Sequence, residues 1–280
     1  MKLAQQLAIG YIRTKFKFLS SISKKKAAQQ AFTLFCTPMR RNRKPLPPIF
    51  EEATRHQFTL HGKLVKGWQW NKGGVKRLLI IHGFESSVTN FDRYVRPFLR
   101  KGYEVLAFDA PAHGRSEGKN ITAPLYKEMI LAINKQFGPV HSFLAHSFGG
   151  LAVCLALEEM PPISNRKLAL VAPATETTTA IDSFFRFLRL DGDVRHLFDE
   201  LIIQKGGHPP AWYSLRRILK KINFPVLWLH DRDDDTTPLS DAEQAAAENP
   251  EHVLFVITDG LGHRRIYRDN KVTKAIIDFL

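Results

Sequence analysis

The chain predicts an α/β architecture: a mainly parallel sheet flanked by helices, with a helical insertion and a basic helical N-terminal extension. Three observations predict it. Apolar runs of strand length alternate with helix-favouring segments from about Phe58 to Leu280, and such alternation builds parallel sheets with helical crossovers. The strand rhythm stops between Thr175 and Asn223, where apolar residues recur at helical spacing instead. Finally, Lys2, Arg13, Lys15, Lys17, Lys24, Lys25, Lys26, Arg40, Arg41, Arg43 and Lys44 all precede the first acid, Glu51. These eleven bases leave only +3 of the +14 net charge for the rest of the chain. The basicity belongs to an attachment, and the α/β body is near neutral.

The totals bound the class. At 280 residues the chain suits one large domain with additions. Its 44% hydrophobic and 24% charged residues are those of a globular protein able to bury a full core. Cys36 and Cys154 lie far apart, so a disulfide framework is not expected and a reducing, cytoplasmic compartment fits. No Cys/His spacing suggests zinc and no glycine-rich loop suggests a phosphate cradle, so neither metal nor cofactor is expected. No apolar run is long enough to cross a membrane.

Taken in order, residues 1–36 read as helical. Leu3, Leu7 and Tyr11, with Ala4, Ala8 and Ile12, recur at spacing four as one apolar stripe that Phe16, Leu19 and Ile22 roughly extend. Lys15 and Lys17 fall beside it, and Lys24-Lys25-Lys26 opens a second piece, Ala27 to Cys36. Two readings stay open. A basic amphipathic helix can lie on an anionic membrane surface, giving peripheral contact through residues 1–44. Alternatively the stripe packs on the body and the lysines are solvated. Nucleic acid is not an expected partner, because no recognised nucleic-acid module accompanies the charge. Gln5 and Gln6 argue against a signal peptide. Pro45, Pro47 and Pro48 make Thr37–Pro48 a linker or extended arm. The expected division is therefore 1–48 as extension and linker, 49–280 as α/β body, and 175–223 as the helical insertion.

His56 to Trp70 alternates as two antiparallel strands joined near His61-Gly62. Val75–Ile81, Tyr103–Phe108, the run before Ser147, Lys167–Val171, Phe224–Leu229 and Val253–Ile257 are continuous apolar strands, as a sheet covered on both faces requires. Helices are expected over Phe91–Arg100, Tyr126–Phe137, Leu151–Leu157, Ser240–Ala247 and Lys271–Leu280. In the insertion, Phe184, Phe185 and Phe187 form an aromatic stripe, followed by the rigid loop His208–Tyr213.

The chemistry centres on Ala145-His146-Ser147-Phe148-Gly149-Gly150. A strand ends in a serine between small residues, and a helix starts at once. This is the strand–turn–helix of a nucleophile elbow, with alanine in the first position. A serine needs a base, and the base an orienting acid. Downstream, His230-Asp231-Arg232-Asp233-Asp234-Asp235 follows one strand and Asp259-Gly260-Leu261-Gly262-His263 follows another. Upstream, Ile81-His82-Gly83-Phe84 closes a strand with a His-Gly pair.

With these four motifs in this order, the chain from about Phe58 to Leu280 resembles the α/β-hydrolase superfamily. The resemblance implies the α/β-hydrolase fold, with residues 175–223 as a cap. It implies Ser147 as nucleophile, His263 as base, and Asp234 as orienting acid at the end of a loop that in the family often reads H-G-x-x-D. Asp231 stands where glycine is usual, and Asp233 and Asp235 flank the candidate; Asp233 is the second choice for the acid, and the spare aspartates read as turn and cap residues. The backbone amides of Phe84 and Phe148 would form the oxyanion hole, and His82, Gly83 and Trp212 would lie toward the substrate. Asp109-Ala110-Pro111-Ala112-His113-Gly114-Arg115-Ser116 resembles the family's D-x-P-G-x-G-x-S loop, with Ala112 replacing a glycine. A serine at the elbow sets the chain apart from haloalkane dehalogenases and similar epoxide hydrolases, which use aspartate there. The implied activity is hydrolysis of a carboxylic ester of a small-molecule acyl substrate. Thioester hydrolysis or acyl transfer would use the same residues, and a non-catalytic ligand-binding protein is the alternative of another class.

Overall fold

The computed structural model describes residues 3–248 and 251–280. The chain opens with helices α1 (Leu3–Ile22) and α2 (Lys24–Phe35), separated by Ser23, whose hydroxyl caps α2 by accepting from the Lys26 amide. Strands β1 (Thr54–Leu60) and β2 (Lys63–Trp70) form a hairpin. His61 and Gly62 turn it, both at positive φ (47° and 71°), as a two-residue hairpin loop demands. Then come β3 (Lys76–Ile81), α3 (Asp92–Arg100), β4 (Tyr103–Phe108), α4 (Ala123–Phe137), β5 (Ser142–His146), α5 (Phe148–Leu157) and β6 (Lys167–Val171). Next are α6 (Thr177–Leu188), α7 (Gly192–Gly206), α8 (Leu215–Leu219), β7 (Val226–Asp231), α9 (Leu239–Ala247), β8 (Val253–Thr258), α10 (Gly262–Arg265) and α11 (Asn270–Phe279).

The strands form one eight-stranded sheet among the described residues, in the order β1-β2-β4-β3-β5-β6-β7-β8. β1 and β2 run antiparallel to their neighbours, and β3 to β8 are parallel. β4, β5 and β7 are buried at every residue, whereas the edge strand β1 alternates exposed and half-buried. This is the predicted contrast between covered and edge strands. From β3 the chain crosses outward to β4 and then back to β5 on the other side. That reversal leaves the C-terminal ends of β3 and β5 adjacent, paired up to Ile81 and Ala145, and such switch points are where α/β sheets open a crevice. One face of the sheet packs Leu78, Ile80, Val105, Leu144 and Leu229 against Phe91, Tyr94 and Phe98 around α3 and against Val272 and Ile276 of α11. α5 is buried almost all round, as its apolar sequence requires.

The contacts divide the chain differently from its linear order. The α/β unit is Pro38–Thr175 with Ser214–Leu280, and a helical unit combines Met1–Thr37 with Glu176–Tyr213. Two pieces of physics redraw the boundaries. Pro38–Pro48 is held to the α/β unit by Arg41, whose guanidinium donates to the carbonyls of Ala112 and Gly118 (2.9 and 2.6 Å). Phe50, just beyond, is buried edge-on against Trp68 and Trp70. In the helical unit, Phe35 of α2 meets Phe184 and Phe198 at ring separations of 5.1 and 5.7 Å, and Phe185 meets Phe198 at 5.1 Å. The aromatic stripe of the insertion thus makes a shared core with the N-terminal helices. Ala27, Ala28 and Ala31 are the small residues that let α2 approach α7. Of the expected stripe on α1, the side chains of Leu3, Ala4 and Ala8 lie outside the described residues, as does Lys2. Among the described residues, no helix is long and apolar enough to cross a membrane.

Candidate active site

Ser147 links β5 to α5 with φ 54° and ψ −128°, a conformation that L residues rarely adopt. Three backbone hydrogen bonds hold it. Its N–H donates to the Val171 carbonyl (3.1 Å), and its carbonyl accepts from Gly150 and Ala174 (2.8 and 3.0 Å). The glycines are steric necessities. A Cβ on Gly149 would lie 2.5 Å from the His82 carbonyl oxygen, and one on Gly150 would lie 2.6 Å from Pro173 Cβ.

His263 arrives from the loop after β8. Its Nε2 lies 2.9 Å from Ser147 Oγ and its Nδ1 lies 2.8 Å from Asp234 Oδ2. The carboxylate keeps the proton on Nδ1, so Nε2 is the acceptor that faces the serine hydroxyl. Asp234 is itself fixed. Oδ1 accepts from the amides of Thr236 and Thr237 (2.9 and 2.8 Å), and Oδ2 from the Thr237 hydroxyl (2.9 Å). Burial alone would push this carboxyl up, but its hydrogen bonds with His263 and these donors hold it below the ordinary carboxylate value. Thr237 was not anticipated. Its signal was the Asp-x-Thr-Thr-Pro run, where an aspartate can bond the amides two and three residues on.

Of the neighbouring acids, Asp233 accepts from the Gly260 amide (3.1 Å) and Asp235 from the Thr236 hydroxyl (3.1 Å). Asp231, read from sequence as a spare turn residue, builds the loop that carries His263. It accepts from the amides of Gly262 (2.7 Å) and Leu261 (3.1 Å), from the Thr258 hydroxyl (2.6 Å) and from the Asp233 amide (3.1 Å). Burial raises its carboxyl, but these donors bring it below the ordinary value.

Gly83, in the loop after β3, packs against the serine: a Cβ there would lie 2.7 Å from Ser147 Cβ and 2.9 Å from His146 Nδ1. Phe84 and Phe148 put their rings 6.1 Å apart, edge to face. Phe148 opens α5, so its N–H has no intrahelical acceptor. The neighbouring Glu85 amide is taken by His113 Nε2 (3.0 Å). His82, expected toward the substrate, is fully buried instead. Its Nδ1–H donates to the Gly83 carbonyl (2.8 Å) and its Nε2 accepts from the Ala110 amide (2.9 Å). Both nitrogens are committed to backbone, so the ring orders the loop. His113 does the reverse: it holds Glu85 and donates through Nδ1 to the Pro111 carbonyl (2.9 Å). The two rings thereby cross-link the loops after β3 and β4. Burial drives His82 down to about 4 and His113 down to about 3, so both are neutral. His146 lies under the elbow. It donates from Nε2 to the His263 carbonyl (3.0 Å), and burial lowers it to about 3. Trp212, the other residue expected toward substrate, belongs to the helical unit, where its ring stacks on His208 at 3.9 Å.

A hydroxyl bonded to a neutral imidazole that a carboxylate orients can lose its proton as its oxygen attacks an electrophile. Comparison with known proteins identifies the family. The sequence profile of the Alpha/beta hydrolase family matches residues 78–274. The chain is 25% identical over 266 residues to an uncharacterized hydrolase of Bacillus subtilis, covering 80% of this chain and 97% of that one. It is 24% identical over 255 residues to an uncharacterized protein of the same organism, covering 82% and 81%. Among solved structures, an esterase of Pyrococcus furiosus superposes with a TM-score of 0.63 at 20% identity, covering 88% of this chain and 97% of that one.

Proposed function

Because the chain belongs to the α/β hydrolase family, we propose that it is a serine hydrolase that cleaves a carboxylic ester through an acyl-enzyme on Ser147. One observation carries the reading: the His263 ring spans Ser147 Oγ and Asp234 Oδ2 at 2.9 and 2.8 Å. Ser147 Oγ attacks the ester carbonyl carbon and His263 Nε2 takes its proton. The carbonyl oxygen becomes an oxyanion that the Phe84 and Phe148 amides stabilise, each worth about 3 kcal/mol by analogy with measured donor deletions. The imidazolium, held by Asp234, then protonates the departing alkoxide, which leaves as alcohol. Water reverses the sequence: His263 takes its proton, the hydroxide oxygen adds to the acyl carbon, and Ser147 leaves with the proton returned. The products are the acid and free enzyme. The ester class is further supported by the esterase name of the Pyrococcus furiosus structure.

The test uses the whole chain with a fluorophosphonate probe and p-nitrophenyl esters of rising chain length. The wild type is expected to label and to turn ester over. Ser147→Ala should not label and should lose about 10⁴-fold or more in kcat, and Asp234→Asn about 10⁴-fold by the loss of the correct imidazole tautomer. Equal labelling or turnover in Ser147→Ala would overturn the proposal, as would absence of both in folded wild type.

A further inference from the structure

We propose that the outer face of α1 docks on an anionic lipid surface. α1 is apolar on two opposite sides. At about 100° per residue, positions 7, 11, 18 and 22 fall within an arc of about 60°, and positions 16 and 20 lie opposite. Phe16 and Ser20 are the buried side, where Ser20 Oγ reaches Asp191. On the other side Leu7, Tyr11, Phe18 and Ile22 are 66, 72, 68 and 63% exposed. Packing within the helical unit accounts for the first side and leaves the second without a partner among the described residues. Four large apolar side chains in register on one helix are more than the scattered single exposures normal for a surface.

Charge identifies the occupant. No acid precedes Glu51. Two of the bases serve the unit itself: Arg13 donates to the Phe187 carbonyl (2.7 Å), and Lys24 pairs with Asp191. Lys15, Lys17, Lys25 and Lys26 are exposed and form no ion pair among the described residues. Lys15 borders the apolar arc directly, and its long stem can lie along apolar surface while its ammonium reaches headgroups. A second copy of α1 would bring this positive surface against itself, whereas phosphate headgroups neutralise it. The helix lies on the surface and does not cross, since among the described residues no helix is long and apolar enough to span a bilayer. The proposal is independent of the catalytic reading.

The test is co-sedimentation of the full chain with phosphatidylglycerol-rich vesicles and with pure phosphatidylcholine vesicles, at low and raised salt. The wild type should bind the anionic vesicles, weakly bind the neutral ones, and release in salt. Replacing Lys15, Lys17, Lys25 and Lys26 with Gln should weaken binding to anionic vesicles by at least about fiftyfold, since each base near such a surface contributes about fivefold. Replacing Leu7, Tyr11, Phe18 and Ile22 with Ser should weaken binding to both vesicle types by at least about tenfold, with the thermal midpoint held. No vesicle binding by the wild type, or equal binding by both variants, would overturn the proposal. So would a change from oligomer to monomer in the Ser variant with vesicle binding retained, which would give the face to a second copy.

Discussion

Ala112 sits at φ 66° in the loop after β4, where the family pattern has glycine. Left-handed backbone costs an L residue roughly 1–2 kcal/mol. Glycine there would relieve that strain, but it would also give up a buried methyl, worth about 0.8 kcal/mol, and add about 0.4–1 kcal/mol of unfolded-state entropy. The terms nearly cancel, so Ala112→Gly should stay within about 0.5 kcal/mol of wild type. Ala110 is equally buried but is not among the positive-φ residues. Ala110→Gly has no strain to relieve and should lose about 1.5 kcal/mol. Urea midpoints at unchanged m-value decide it, and equal losses at both positions would remove the strain argument. The substitution at 112 was visible in the sequence, but the positive φ at Glu85 (54°) was not. It follows from the bond between its amide and His113, which only the fold brings together.

At the scale of elements, the end of β7 holds the loop after β8. Asp231 and Thr258 are register partners, so the Asp231 carboxylate meets the first residues of that loop and fixes the approach of His263. Asp231→Asn replaces an acceptor oxygen with an NH₂ that faces donors. Stability at neutral pH should fall by about 1–3 kcal/mol. Because the loop carries the proposed base, kcat should fall by roughly tenfold to a hundredfold with KM less affected. The wild-type carboxyl titrates below its unfolded value, so its contribution is full above about pH 4 and is lost as pH falls below that. The variant should lack that part of the acid loss. Denaturant titrations at neutral and acid pH, with ester kinetics at neutral pH, measure all three. Asp231 was legible as an aspartate in a glycine's place, but its role was not. Its partners are close only through the pairing of β7 with β8. The same limit applied to α1. Its helical period could be read, but its buried face could not, because a partner of that face, Asp191 beside Ser20, comes from the distant insertion.

Across the whole molecule, sequence legibility followed locality. Strands buried on both faces announced themselves as apolar runs, and the order of serine, acid and histidine followed from the loops those strands end in. The helical unit did not, because Phe35 and Phe184 say nothing of each other until they touch. The buried histidines govern the response to acid. His82, His113 and His146 are held near 4, 3 and 3 by burial in the α/β unit, whereas in the unfolded chain each titrates at about 6.5. Below that unfolded value the unfolded chain binds protons that the folded one refuses. Their stabilising contribution is therefore complete above about pH 6.5 and is lost as pH falls toward the folded values. Each histidine adds a slope of about 1.4 kcal/mol per pH unit, so the three together give about 4 kcal/mol per unit between about pH 6 and 4. A fold of ordinary stability, about 5–15 kcal/mol, would be exhausted within a few units, before most carboxylates take up protons. Urea midpoints followed from pH 8 downward should turn over near pH 6.5 and fall steeply. His113→Gln can still accept from the Glu85 amide and donate to the Pro111 carbonyl, but it cannot be protonated. It should reduce the acid slope by about one third. A flat profile from pH 7 to 5 would mean that these rings gain protons without unfolding the chain, and their neutrality would not be what holds the two loops together.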